Sequence, residues 1–161
     1  MNPLADPDTI FLREAIRLSR EHMLEGDGGP FGAVIVQDGE VIAEGWNQVT
    51  STNDPTAHAE IVAIRKACSS LDQFSLEGCV LYSSCEPCPM CLAAAYWARL
   101  DRMVFGASRE DAAAGGFDDA YLYLEIPKKH AERQLPARQL LRDEARLAFN
   151  EWLAKPDRVS Y

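Results

Sequence analysis

The pattern of apolar and polar residues switches from a helical to a β period early in the chain. From Asp8 onward, apolar residues recur at helical spacing until a glycine-rich run, and Asp8 is placed to cap this predicted helix. Residues 31–36 and 41–46 are then rich in β-forming side chains, and Asp38-Gly39 between them is a strong signal for a two-residue turn. The pattern therefore predicts a helix followed by an antiparallel hairpin.

The remainder of the chain alternates helices with short strands. A polar loop leads to a helix opened by Pro55, and a short apolar strand at residues 80–82 precedes a third helix that follows Pro87. A further strand is predicted at residues 103–105, and an amphipathic helix at residues 142–154 is stopped by a proline. Strands that alternate with helices are typical of a layered α/β domain.

Composition restricts the classes of protein to which the chain can belong. With 161 residues, 47% of them hydrophobic, and no apolar run long enough to cross a bilayer, we expect a single domain over residues 1–161 and no membrane segment. Residues 1–6 lack the basic patch and the apolar stretch of a secretory signal, so we expect a cytoplasmic location. A net charge of −9 opposes binding to nucleic acid and favours a small-molecule substrate.

Two short motifs carry the candidate chemistry. They are His58-Ala59-Glu60 and Pro87-Cys88-Pro89-Met90-Cys91. An odd set of five cysteines, two of them in so tight a run, favours metal binding over a disulfide framework. The two motifs together have the H-x-E and P-C-x-x-C form found in zinc-dependent deaminases.

The spacing of the candidate ligands suits a catalytic zinc ion. Cys88 and Cys91 share one face of a predicted helix, and in its first turn the helix dipole favours thiolate over thiol. Two thiolates and the neutral imidazole of His58 balance the charge of Zn²⁺ and leave a fourth position for water. We therefore predict one zinc ion per chain, held by these three residues.

Glu60 is the candidate proton shuttle. Residues two apart in the middle of a helix point to nearly opposite sides, so His58 and Glu60 can face one metal only if the helix begins close to His58. Asp54 or Thr56 as the cap would place His58 at such a start. Glu60 would then point toward the water on the metal rather than into solvent.

A closed structural zinc site is the main alternative for these cysteines. Cys85, Cys88 and Cys91 are equally spaced, and a set of three cysteines and one histidine would make a non-enzymatic, zinc-stabilised binding module. Cys85 precedes Pro87 at the end of a strand, on different backbone geometry from the other two. We therefore expect that Cys85 does not bind the metal.

Several blocks of sequence extend the motifs into a resemblance to a known family. They are residues 29–36, 53–60 and 84–91, together with Tyr96-Trp97-Ala98-Arg99 and Gly116-Phe117-Asp118-Asp119. On these blocks the chain resembles the cytidine deaminase superfamily, and within it the short bacterial guanine deaminases. The resemblance implies a three-layer αβα sandwich around a mixed five-stranded sheet. It also implies a homodimer in which the C-terminal helix and arm, residues 142–161, are exchanged between subunits.

The resemblance also implies a reaction and further site residues. The reaction would be hydrolytic deamination of guanine to xanthine and ammonia by a zinc-bound hydroxide, with Glu60 as the proton shuttle. The residues implied are Asp119 as a second acid, Asn47 as a hydrogen-bonding partner of the base, Phe31 and Trp97 as pocket walls, and Tyr161 as a cover over the site, contributed by the partner subunit. Ammeline, cytosine and pterins carry similar groups and stay open as substrates.

A tRNA-editing adenosine deaminase is the alternative within the superfamily. Such proteins have a similar motif region and act on a base flipped out of an RNA loop. They usually carry Leu in place of Cys85 and Ala-Gly in place of Leu92-Ala93, and an RNA-binding protein needs a basic surface. The acidic composition therefore favours a free nucleobase as the substrate.

Overall fold

The structure is a computed structural model that describes residues 6–161. Most of the segment used for the expectation of no secretory signal, residues 1–5, lies outside the described residues, and the cytoplasmic location stays a prediction. Among the described helices, none is long and apolar enough to cross a membrane.

The helices are α1 Pro7–Glu25, α2 Val49–Thr52, α3 Ala59–Leu71, α4 Pro89–Trp97, α5 Arg109–Ala114, α6 Asp119–Glu125 and α7 Arg142–Ala154, with a 3₁₀ turn at His130–Glu132. The strands are β1 Gly32–Gln37, β2 Glu40–Trp46, β3 Cys79–Cys85 and β4 Arg102–Ala107.

The strands form one mixed sheet in the order β2-β1-β3-β4. β1 is antiparallel to both β2 and β3, whereas β3 and β4 are parallel. The predicted hairpin is confirmed, but the predicted fifth strand is absent from residues 6–161, where the sheet has four strands. The chain enters a helix directly after β4 because Ser108 and Asp111 form a reciprocal capping box that starts α5.

Helices cover both faces of the sheet. Successive residues of β1 point to opposite faces, so Ile35 packs in the cluster that includes alanines of α3, whereas Val34 packs with Leu18 of α1. Two glycines allow the close approach of these helices: a Cβ at Gly32 would lie 2.3 Å from the Ala15 carbonyl oxygen, and one at Gly45 would lie 2.2 Å from that of Ala59. The α/β layers predicted from the sequence are therefore present.

Two helix starts differ from the sequence prediction. The cap of α1 is Asp6, whose Oδ1 accepts from the Asp8 backbone N–H at 3.2 Å. The carboxylate of Asp8 instead accepts hydrogen bonds from Arg102 on β4. The second long helix starts at Ala59 with His58 in the cap position, not at Pro55 with Asp54 or Thr56 as the cap. Asp54 accepts from the Thr56 N–H at 2.8 Å and so stabilises a turn before the helix.

The chain separates into two compact units, one ending at Tyr123 and the other comprising Leu124–Tyr161. The first unit contains the whole sheet. The second contains α7, whose observed bounds agree with the predicted helix at residues 142–154. Large apolar side chains of this second unit are exposed, among them Leu140, Leu141, Leu147, Phe149, Leu153 and Tyr161.

Candidate functional site

The starts of two helices bring the three predicted metal ligands together. His58 is the cap residue of α3 and Cys88 is the cap residue of α4, both with extended backbone, and Cys91 lies in the first turn of α4. Pro89 follows Cys88 at the first helical position, where the ring fixes a helical φ and no intrahelical N–H is needed. The irregular start of α3 that the sequence required at His58 is therefore observed.

The distances among these ligand atoms fit a tetrahedral metal ion. Cys88 Sγ lies 3.6 Å from His58 Nδ1 and 3.7 Å from Cys91 Sγ. Ordinary Zn–S and Zn–N bond lengths in a tetrahedron place two sulfurs about 3.8 Å apart and a sulfur and a nitrogen about 3.6 Å apart. Cys88 and Cys91 are 2% and 0% exposed, so the donors lie in a protected position. The donor set and its spacing suit zinc.

The pKa values of Cys88, Cys91 and His58 depend on the hydrogen bonds among these three side chains. The hydrogen bond with Cys91, and then the one with His58, lowers the pKa of the Cys88 thiol to about 4. The same contact with Cys88 raises the pKa of Cys91, and burial adds to that rise. Hydrogen bonding to Cys88 also raises the pKa of His58. Binding of a zinc ion would require both thiols to be deprotonated, and the raised pKa of Cys91 opposes this step.

Glu60 lies next to this cluster, in the first turn of α3. Its side chain is buried, and its Oε1 accepts a hydrogen bond from Ser83 Oγ on β3 at 3.2 Å. Burial raises the pKa of Glu60 above its ordinary value. A buried carboxyl group with a raised pKa is suited to gaining and losing a proton near neutral pH.

Cys85 lies outside the metal-binding group. Its Sγ contacts the Ser108 carbonyl oxygen at 3.5 Å, and burial raises the pKa of its thiol to about 11. The ligand atoms of His58, Cys88 and Cys91 lie within 4.8 Å of one another, and Cys85 is not part of this group. The geometry favours the three-ligand site over the closed one.

A pocket of about 310 Å³ opens onto the ligands. Its walls include six residues that the sequence analysis singled out, namely Phe31, Asn47, His58, Glu60, Cys88 and Asp119. Its size is at the lower end of the range for small-molecule sites. Trp97 does not line this pocket. It lies at the end of α4, where 64% of the surface of Trp97 is exposed. Tyr161 belongs to the second compact unit.

Asn47 is held in one orientation by the backbone. Its Oδ1 accepts hydrogen bonds from the N–H groups of Gly29 and Val49, both at 3.2 Å. A Cβ at Gly28 would lie 2.3 Å from the Asn47 carbonyl oxygen, so only glycine allows the loop to pass this close. Because the amide oxygen is already engaged, the amide nitrogen is the group that can donate to a pocket ligand.

Asp119 is at the start of α6 and lines the same pocket. Burial raises the pKa of its carboxyl group. Phe117 and Glu86 also line the pocket, and neither was assigned a role from the sequence. The Phe117 ring packs edge-on against Phe31 with the centroids 4.7 Å apart. Phe117 had appeared only within the block at residues 116–119, and the sole clue to Glu86 was its place beside the cysteine motif.

Comparison with known proteins assigns the class. Residues 6–107 match the cytidine and deoxycytidylate deaminase zinc-binding region. The chain therefore belongs to this zinc-binding deaminase family, and the resemblance inferred from the motifs is confirmed.

Within the family, the chain is similar to one relative over nearly its whole length. It is 54% identical over 142 residues to guanine deaminase from Bacillus subtilis, which covers 88% of this chain and 91% of the relative. The X-ray structure of the Bacillus subtilis guanine deaminase superposes with a TM-score of 0.92 at 49% identity, over 100% of this chain and 99% of that one. A tRNA-specific adenosine deaminase from Aquifex aeolicus is 40% identical over 117 residues, 73% of this chain and 76% of the relative.

Proposed function

We propose that the chain catalyses the hydrolytic deamination of guanine to xanthine and ammonia. The observation that carries this proposal is the 54% identity to a guanine deaminase over 88% of the chain. The match to a tRNA-specific adenosine deaminase is lower and shorter, at 40% over 73% of the chain. The net charge of −9 also opposes an RNA substrate.

The residues around the pocket have complementary tasks in this reaction. His58, Cys88 and Cys91 would hold zinc, which when bound supplies a Lewis acid that lets water ionise near neutral pH. Glu60 accepts a proton from the attacking water and delivers it to the ring nitrogen beside the carbon that carries the amino group. Asp119 then gives its proton to the departing amine and regains one from the new C–OH group as this becomes the carbonyl, so that one water is consumed and one ammonia is released.

The binding contacts favour a flat, polar heterocycle. The amide N–H of Asn47 faces an acceptor on the base, since its oxygen is engaged by Gly29 and Val49. Phe31 and Phe117 supply apolar faces against which a ring can stack.

Ammonia release from a panel of substrates tests the proposed function. Guanine, cytosine, adenine, cytidine and a tRNA anticodon stem are assayed in parallel with the zinc-loaded protein. Guanine should be deaminated fastest. If the tRNA stem is deaminated and guanine is not, the chain is the RNA-editing alternative. If no substrate releases ammonia, the result favours the non-enzymatic binding module.

Replacing Asp119 by Asn should lower kcat for guanine by at least about tenfold, because an amide cannot donate the proton that the leaving amine requires. Asp118→Asn is the matched control: this neighbour is exposed and does not line the pocket. Steady-state kinetics with zinc content measured on the same samples separate the two variants. If Asp119→Asn has the same kinetic constants as the wild-type protein, Asp119 takes no part in catalysis.

We also propose that the protein is a homodimer in which the C-terminal segment is exchanged, as the resemblance implies. The exposed apolar side chains of the second unit, including Phe149 and Leu153 on α7, support this proposal because such surface is normally covered. β4 is an edge of the sheet, and 46% of Phe105 on this strand is exposed. In the exchanged dimer, Tyr161 would cover the partner's pocket, and Trp97 keeps the role of pocket wall that the resemblance implies.

Deletion of Tyr161 should lower kcat/KM for guanine by roughly 2- to 10-fold, the loss expected when aromatic packing of about 0.5–1.5 kcal/mol is removed. Zinc content and melting temperature should stay unchanged, because Tyr161 is 74% exposed and is not a proposed metal ligand. Tyr161→Phe, which keeps the ring, is the control for a role of the aromatic surface. Unchanged constants after the deletion would leave the arm without a function at the pocket.

A further inference from the structure

A polar network that the proposed mechanism does not use lies beside the metal-binding loop. Glu86 immediately precedes Pro87 and Cys88, and its carboxylate accepts from Arg109 Nη2 at 2.6 Å and from Arg109 Nε at 3.1 Å. The backbone N–H of Arg109 also donates to Glu86 at 3.1 Å. This bidentate salt bridge fixes the orientation of the guanidinium group.

Tyr123 on α6 completes the network. The Arg109 guanidinium carbon lies 3.9 Å from the centroid of the Tyr123 ring. The Tyr123 hydroxyl donates to the Pro87 carbonyl oxygen at 2.7 Å. Glu86, Arg109 and Tyr123, here called the Tyr123 network, therefore attach α6 to the residue that directly precedes Cys88.

Asp119 lies on the same helix, four residues before Tyr123. Residues at this spacing share one face of a helix, so the attachment at Tyr123 also sets the place of Asp119. The backbone alone does not fix the position of Asp119, because the chain reaches α6 through two flexible glycines, Gly115 and Gly116. Gly116 has a left-handed φ of 91°. Glu86, Cys88 and Asp119 all line the pocket.

We propose that Arg109 and Tyr123 are positioning residues that hold Asp119 at the pocket, at a fixed distance from the metal-binding loop. The proposal rests on the proposed function in one respect, that Asp119 is the proton donor to the leaving amine. A small displacement of a reacting group costs a large factor in rate, so this attachment matters for turnover more than for binding.

Tyr123→Phe tests the attachment with little change in shape. The variant keeps the ring under Arg109 and loses only the hydroxyl that donates to Pro87. We expect kcat for guanine to fall about tenfold with KM and zinc content unchanged. Hydrogen–deuterium exchange of the backbone at residues 116–123 should become faster in the zinc-loaded variant. Arg109→Gln, which breaks the pairing with Glu86, should give the same two changes and serves as the second test if Tyr123→Phe does not fold.

The double variant Tyr123→Phe/Asp119→Asn decides whether the network acts through Asp119. If it does, adding Tyr123→Phe to Asp119→Asn lowers kcat no further than Asp119→Asn alone. Tyr96→Phe, which removes a hydroxyl from the exposed Tyr96 on α4, is the control and should leave kcat and exchange unchanged. The proposal is overturned if Tyr123→Phe has the kcat of the wild-type protein. It is also overturned if the double variant has a kcat about tenfold lower than that of Asp119→Asn alone. A wild-type protein that does not deaminate guanine would instead contradict the proposed function, while the exchange rates still report whether Tyr123 holds α6.

Discussion

Glu60→Gln is expected to lower turnover of guanine by at least about 10²-fold, because general acid–base catalysis contributes about 10²–10⁴ and an amide cannot carry the proton. The amide oxygen can still accept from Ser83, which now donates to Glu60 Oε1 at 3.2 Å. The change is nearly isosteric in a side chain that is 5% exposed, so no cavity forms. Rapid-quench or steady-state measurement of ammonia release gives the size of the loss.

The loss at Glu60 must be separated from loss of the metal or of the fold. Zinc content should stay at about one ion per chain, since the proposed ligands are His58, Cys88 and Cys91 and not Glu60. The melting temperature should not fall, because burial already raises the pKa of Glu60 and a neutral amide suits the same surroundings. Glu77→Gln at an exposed position is the matched control. Near wild-type turnover of Glu60→Gln would remove the central step of the proposed mechanism.

The proximity of the three candidate ligands could be predicted from the sequence because the parts of this cluster are local. Cys88 and Cys91 share one helical turn, and the requirement that His58 and Glu60 face the same point predicts a helix start near His58, which is where α3 begins. The hairpin was predictable for the same reason, since Asp38-Gly39 specifies the turn and the flanking segments supply the strands.

Features that depend on distant residues could not be predicted. Arg109 pairs with Glu86 across 23 positions and Tyr123 reaches Pro87 across 36, and no sequence period relates such partners. The fifth strand was an inference from resemblance, and local capping by Ser108 starts a helix after β4 instead. The cap of α3 was misassigned to Asp54 or Thr56 because Asp54 also stabilises a turn, and propensity alone does not distinguish the two uses.

The reason that residue 28 is a glycine also could not be predicted from the sequence. A glycine-rich run after a helix is read as a stop signal, and Gly26 does end α1 with a left-handed φ of 87°. Gly28 has a different reason, since a side chain there would collide with Asn47. That contact joins a loop and a strand end, and only the folded chain displays it.

Cys91→Ser is expected to have the second large effect, loss of the metal together with activity. Cys91 is fully buried beside Ile61 and Cys88, and a serine hydroxyl in its place is a poorer ligand for zinc than a thiolate. We expect zinc affinity to fall by more than about 10²-fold, since changes to groups that only support ligands already cost about 10–100-fold. Elemental analysis after dialysis should find about one zinc per wild-type chain and little in the variant.

Cys85→Ser is the matched control, because Cys85 is also a buried thiol close to the motif but contacts the Ser108 carbonyl. It should keep its zinc and most of its activity. X-ray absorption of the wild-type protein should report two sulfurs, one nitrogen and one oxygen around the metal. Zinc occupancy should also decline as the pH is lowered, because the raised pKa of Cys91 makes protons compete with the metal for this thiol. A shell of three sulfurs, or equal zinc loss in Cys85→Ser and Cys91→Ser, would mean that Cys85 closes the site, and with no position left for water the hydrolytic mechanism would fail.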